Sequence, residues 1–256
     1  MLPEFGPCEW LLGMLAAMMV GFSKTGVPGA GILVVPLMAH LFGGRHSVGA
    51  LLPMLIFADC FAVVWYRRHV DWPQLWKLGP WVVPGLALGV VLLYALPAGG
   101  ADWMNPIIGL LVLAMLSLHL LRRRLGDRLT PNSSFGVGFT GSVAGFTTMV
   151  SNAAGPVMSI YFSSLRMEKR DFVGTHAWYF FIVNLIKLPI YLALTAAQPW
   201  RPLVSASSLA FDALMLPAIG LGAVVGRWML PRMEQSVFDA LVLSLAALAA
   251  LRLLAP

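Results

Sequence analysis

Four ionisable residues, Lys24, Asp59, His176 and Lys187, are embedded in otherwise apolar sequence, and that setting makes them the natural start of a search for chemistry. An ammonium deep in an apolar segment is costly by at least a few kcal/mol and demands a partner. Lys187, with Lys24 as a second cation, can supply that charge to an anionic ligand; a salt bridge or a side chain reaching back to the interface would equally account for either lysine. Asp59 can pair with Lys187. A carboxylate in such surroundings can exchange a proton, which makes it a candidate for proton coupling, while a purely structural ion pair is the competing reading. His176 lies early in its segment, as a relay, a ligand or a hydrogen-bonded packing residue. Asn184 precedes Lys187 by three residues, so the two share a helical face.

Two short polar, glycine-containing breaks flank this set. The first runs from Gly21 through Ser23, Lys24, Thr25, Gly26, Pro28, Gly29 and Gly31; the second from Thr147 and Thr148 through Ser151, Asn152, Ala153 and Ala154 to Gly155 and Pro156. Each is followed by an apolar run, so each exposes a new helix N-terminus, and Pro28 suits a first helical turn. Unpaired N–H groups and the helix dipole favour an anion there, and small residues let an oxyanion approach the backbone. Gly26, Gly29, Gly31, Ser151, Asn152 and Gly155 therefore join Lys24, His176, Asn184 and Lys187 as candidate substrate-binding residues. No metal-ligand spacing is present: Cys8 and Cys60 stand alone. No cofactor is expected.

The elements that carry these residues are membrane helices. With 59% hydrophobic and 11% charged residues and a mean hydropathy of +0.82, too few polar groups remain to cover a water-facing surface. Apolar segments fall at about 10 to 22, 28 to 43, 47 to 66, 78 to 97, 103 to 121, 134 to 149, 153 to 165, 172 to 196, 207 to 229 and 236 to 254. Those at 10 to 22, 28 to 43, 134 to 149 and 153 to 165 are short and come in two adjacent pairs, which reads as broken helices or re-entrant hairpins. Lys and Arg gather in four loops: Arg67, Arg68 and Lys77; Arg122, Arg123, Arg124 and Arg128; Arg166, Lys169 and Arg170; Arg227 and Arg232. These loops are assigned to the cytoplasm, and those around Arg45, Gly99 and Arg201 to the other side with both termini. His40, His119 and Asp212 fall near segment ends and read as interfacial, and most Trp residues lie near span ends as an aromatic belt. The net charge of +6 is spread over loops, which excludes a nucleic-acid face. Glu4 and Glu9 without a basic residue argue against a cleaved signal, so the first segment is expected to stay in the mature chain.

A shift of 125 residues brings Gly49 onto Gly174 and Asp59 onto Asn184, and a shift of 133 brings Pro84 onto Pro217 and Gly89 onto Gly222. The charge pattern gives the matched segments opposite orientations. The expected fold is a single all-α, polytopic membrane domain (1–256) of two inverted repeats, 8–124 and 133–254, each a broken or re-entrant helix pair plus three transmembrane helices. Such repeats recur in secondary transporters.

With these residues placed, the chain resembles the TauE/SafE family of sulfite and organosulfonate exporters. The likeness rests on the order of Gly26 to Leu37 ending in Val35-Pro36-Leu37, Val70-Asp71-Trp72 followed by Pro84-Gly85 and Gly89, and Gly155-Pro156. It implies a bacterial inner-membrane protein that moves sulfite, sulfoacetate or related anions, with the two breaks as substrate region. Lys24, Pro28 and Ser151-Asn152-Ala153-Ala154 depart from plain glycine runs, so sulfite itself does not follow. The expected function is a secondary transporter, by preference an exporter, of a small anion such as sulfite, a sulfonate or a carboxylate, by alternating access with possible proton coupling, and not an enzyme. An anion channel is the alternative, and an intramembrane enzyme built on Ser142 and His176 a weaker one. Expected partners are the small anion and membrane lipid, with no nucleic acid, in a monomer or homodimer.

Overall fold

A computed structural model describes residues 2–26, 30–95, 134–165 and 169–229, together with 106, 110, 113, 117, 121, 167, 232 and 234. The expected spans at 103 to 121 (those five positions apart) and 236 to 254 lie outside the described residues. So do Pro28, Gly29, His119, Arg122, Arg123, Arg124, Arg128 and Arg166.

Every regular element among the described residues is helical: α1 (Pro7–Thr25), a 3-10 turn (Ala30–Leu33), α2 (Val34–Phe42), α3 (Gly44–Tyr66), α4 (Trp72–Ala95), α5 (Ser134–Ser151), α6 (Gly155–Ser164), α7 (Lys169–Ala197) and α8 (Ala206–Met229). Local chemistry sets several of the ends. The Gly6 N–H donates to Glu9 Oε2 at 2.6 Å before α1, Asp71 Oδ1 accepts from the Gln74 N–H ahead of α4, and Ser205 Oγ accepts from the Ser208 N–H ahead of α8. Asn152, at φ +56°, takes the left-handed conformation just past α5, where asparagine is the side chain best suited to replace glycine. Among the described residues, four helices are long and apolar enough to cross a bilayer: α3, α4, α7 from Arg170 and α8.

The expected shortness is found in only one member of each broken pair. The 19 residues of α1 and 18 of α5 rise about 27–28 Å, whereas the 9 of α2 and 10 of α6 rise about 14–15 Å. Pro7, Cys8 and Glu9 at one end and Ser23, Lys24 and Thr25 at the other extend α1 beyond its apolar run. Polar residues stay helical there because each backbone group within the membrane must be bonded internally.

Two contacts between parallel helices organise the bundle. Along α1 and α8, Phe211 packs on Gly13, Gly222 meets the Met18 carbonyl, and Gly226 meets the Phe22 carbonyl. A Cβ on Gly21 would stand 2.0 Å from Ile219 O, and one on Gly222 1.9 Å from Met18 O. Thr25 Oγ1 adds a 2.7 Å hydrogen bond to Ala223 O. Along α4 and α5, a Cβ on Gly85 would stand 2.0 Å from Ser142 O, and one on Gly145 2.2 Å from Val82 O. Without a hydrophobic force between helices in lipid, such small-residue faces gain their stability from close van der Waals contact. The third pairing is antiparallel: the start of α3 meets the loop after α7 at Gly49 and Leu203, and the start of α7 meets the loop after α3 at Gly174 and His69. Outward faces carry Val83, Leu88, Val91, Leu221 and Val224, each more than half exposed, while Asp59, Asn184 and Lys187 are fully enclosed. Apolar outside and charged inside is the distribution a lipid solvent selects.

Candidate functional site

Between the two broken pairs lies a cavity with about 560 Å³ of empty space, counting its open mouth. Lys24 and Ser23 reach it from the last turn of α1, Gly31 and Val34 from the returning segment, and Leu51 and Leu55 from mid-α3. Thr148, Asn152 and Gly155 border it at the second break, with His176, Phe180 and Asn184 on α7. The returning segment crosses close to α1, since a Cβ on Gly31 would come within 3.2 Å of Ser23 Oγ. Gly155 has nothing within 4 Å of where its Cβ would be, so at the head of α6 the missing side chain leaves cavity space.

A chain of polar groups runs along this cavity and ties four helices together. Lys24 Nζ sits 2.8 Å from Asp59 Oδ1. Asn184 Nδ2 donates to Asp59 Oδ2 at 2.7 Å, and Asn184 Oδ1 accepts from Lys187 Nζ at 3.4 Å. Lys187 also donates to Thr148 Oγ1 at 3.2 Å and to Asn152 Oδ1. Asn152 Nδ2 ends the chain on the Val48 carbonyl at 2.8 Å. Each amide thus has its oxygen toward a lysine and its NH₂ toward an acceptor, an order the bonding capacities of these groups require. Aromatic faces complete the cation environments: Lys24 Nζ stands 4.4 Å from the Phe180 centroid and Lys187 Nζ 5.4 Å from that of Tyr191. Two tyrosine hydroxyls fasten the break-facing ends of the long half-helices, Tyr66 donating to Thr25 O at 3.0 Å and Tyr191 to Met149 O at 2.6 Å.

The partner expected for Asp59 was Lys187, and the structure corrects this: Asp59 pairs with Lys24 and reaches Lys187 only through Asn184. The reason lies in helical phase. Lys187 and Asn184, three residues apart, share a face, and that face turns Lys187 toward the tip of α5. The two lysines therefore differ in position. Lys24 borders the cavity, while Lys187, at 0% exposure, stands behind Thr148, Asn152 and Asn184.

Of the other candidate residues, Gly31, Asn152, Gly155, His176 and Asn184 meet at the cavity. Gly26 instead packs against the Gly226 backbone and donates its N–H to Phe22 O, so its small size serves the contact between α1 and α8. Ser151 is buried with its hydroxyl turned back onto Thr147 O. His176 lies among Phe162, Phe172 and Phe180, with Nε2 lacking a partner. Ser142 does not meet it: its hydroxyl donates to Trp81 O within the contact between α4 and α5. Sequence reasoning passed over Thr148 and Phe180. The first stood in the quoted break as one of several hydroxyls, and the second has no feature to separate it from other aromatic residues. Asp212, expected at the interface, is enclosed at 3% exposure.

A bundle with lipid-facing apolar surfaces, two interrupted helix pairs and a cavity lined by buried charge defines a multi-pass helical membrane protein with an internal polar site. Residues 12–253 match the family model described as sulfite exporter TauE/SafE, and the chain belongs to that family of membrane transporters. No curated protein and no solved structure matches it.

Proposed function

We propose that the protein is a secondary transporter that exports a small sulfur oxyanion, sulfonate or carboxylate across the bacterial inner membrane by alternating access. The observation that carries the reading is the Lys24–Asp59 pair at the cavity between the two breaks. A lysine held by an acid at 2.8 Å is neutralised; an acid that takes up a proton releases it. With Asp59 protonated, Lys24 is free to hold an anion against Asn152, Thr148 and the backbone at Gly155, and departure of the proton restores the pair. Proton and anion then occupy the site together, the relation a symporter requires, and export runs where the outward anion gradient exceeds the inward proton gradient.

The halves 8–124 and 133–254 act in this reading as inverted repeats. Supporting it are contacts that recur at matched positions. Tyr66 and Tyr191, 125 residues apart, each hold a carbonyl near the end of a long half-helix. Gly49 and Gly174, at the same spacing, each press on a loop of the other half. Asp59 and Asn184, again at that spacing, bond to one another, as matched residues beside a two-fold axis would. Both termini lie on the periplasmic side in this reading.

Reconstituted protein tests it. Sulfite, methanesulfonate and acetate flux is followed in proteoliposomes carrying an internal pH dye. Lys24→Met should lower flux of the transported anion at least tenfold, and Asp59→Asn should uncouple residual flux from proton movement. Undiminished flux through correctly folded Lys24→Met protein overturns the proposal, and non-saturating flux indifferent to the proton gradient favours a channel.

A further inference from the structure

One end of the bundle holds a second cluster of positive charge that the cavity does not use. Arg45, in the first turn of α3 and only 9% exposed, donates from Nη1 to Leu93 O, from Nη2 to Gln198 Oε1 at 3.0 Å and from Nε to Arg201 O at 3.4 Å. Arg201, in the loop between α7 and α8, donates from Nη2 to Tyr94 O at 2.8 Å, an oxygen that also accepts from Gln198 Nε2 at 3.2 Å. Every acceptor is neutral. The ion pairs among the described residues, Lys24 with Asp59 and His69 with Asp171, involve neither arginine. Two donor nitrogens on Arg201, Nε and Nη1, are shut from solvent with no acceptor among the described residues.

Capping of α4 does not account for this arrangement. The carbonyl end of a helix amounts to about half a negative charge, whereas two guanidiniums bring two whole positive ones, each permanently protonated. A buried guanidinium donor without an acceptor is unfavourable, so the described residues leave this spot short of oxygen atoms and of negative charge. Arg45 also lies about 9 Å along α3 from Leu51, the first residue of that helix to border the cavity. Val48, whose carbonyl receives Asn152 Nδ2, is three residues from Arg45 on the same face of α3, about 4.5 Å along the helix.

We propose that Arg45 and Arg201 form a second oxyanion site about 9 Å along α3 from the central cavity, where an anion pauses between the cavity and the face on which α4 ends. The ligand class, a small anion presenting two or three oxygens, rests on the transport reading above; the site rests on the arginine geometry alone. Arg201 supplies the unpaired donors, and Arg45, with one acceptor on each of its three nitrogens, holds Gln198 and the Arg201 backbone in place and adds its charge.

Calorimetric titration of inorganic sulfite into full-length protein in phosphatidylcholine nanodiscs tests this. Wild type should bind two anions, Arg201→Gln one and Lys24→Met one. Ser205→Ala, which removes the hydrogen-bond cap of α8 at the end of the same loop and touches neither arginine, should keep both and so report any merely structural effect. In proteoliposomes Arg201→Gln should raise the half-saturating sulfite concentration about tenfold from one face only, the loss of a charge-assisted hydrogen bond. Retention of two sites by Arg201→Gln, or loss of the second site in Ser205→Ala, overturns the proposal. So does a tenfold weakening of the second site when phosphatidylglycerol is added, which would assign the arginines to a lipid phosphate. A Lys24→Met protein that keeps both sites, with Arg201→Gln losing one, overturns the central-cavity reading and leaves this one standing.

Discussion

Replacing Asp59 by Asn removes one negative charge and one acceptor, since the single amide oxygen can keep the bond from Asn184 or turn to Lys24 but not both. It leaves Lys24, 7% exposed, without its acid. Breaking a buried ion pair by deleting one partner is destabilising by about 3–5 kcal/mol, since the survivor stays buried and uncompensated. Part of this is recovered: the Phe180 ring at 4.4 Å remains, and the Asn oxygen can accept from Lys24 Nζ where it gives up Asn184, together about 1–2 kcal/mol. The net loss is about 2–3 kcal/mol, or a fall in Tm of roughly 4–12 °C for a chain of this size. Removing both charges in Lys24→Met/Asp59→Asn takes away the survivor as well, so the double variant should unfold within about 1 kcal/mol of wild type while transporting nothing. Thermal unfolding of the four proteins in one detergent gives the cycle directly. A double variant as unstable as the sum of its single variants would refute the reasoning, because the two side chains would then not be energetically coupled.

Gly155→Ala should fold normally, since its new methyl meets no neighbour, yet bind sulfite at least severalfold more weakly in a titration if anions approach that backbone. Gly145→Leu should fail to yield folded protein by size-exclusion chromatography, because its Cβ alone would stand 2.2 Å from Val82 O. Tyr191→Phe deprives the buried Met149 carbonyl of its 2.6 Å donor and should cost about 1–3 kcal/mol, measurable as a lowered Tm. His69→Ala, at a pair exposed by 37% and 48%, should leave Tm unchanged within about 2 °C.

Much of this architecture is legible in the sequence because a membrane leaves few choices. A long apolar run with no water available must be a helix, so α3, α4, α7 and α8 follow from hydropathy, with boundaries displaced where polar residues such as Lys169 and Trp72 to Lys77 extend the helix past the apolar stretch. The breaks are legible too, from clustered glycine and proline and from asparagine followed by small residues. Pairing between side chains is not. Hydropathy identifies Lys24, Asp59 and Lys187 as needing partners, but which pair forms depends on the rotation of α1 against α3 and of α7 against α5, and that is set by contacts such as Gly21 on Ile219 O and Gly145 on Val82 O. Arg45 is the plainest miss: as a single charge near a segment start it reads as a loop residue, and only the meeting of α4 with the loop between α7 and α8 buries it.

The contact between α1 and α8 also constrains how the protein is made. Thr25 and the carbonyl it bonds are 198 residues apart in the chain. At a synthesis rate of about 5–20 residues per second, α1 leaves the ribosome roughly 10–40 seconds before its partner exists. Throughout that interval the glycine face of α1, with Lys24 at its end, sits in the translocation machinery or the bilayer with nothing to pack on. Asp59 arrives far sooner, about 2–7 seconds later at the same rate. The ion pair that serves the cavity in the finished protein is therefore also the earliest tertiary contact able to shelter that lysine, and variants that lose it should be recognised by membrane quality control before the last helix has been translated.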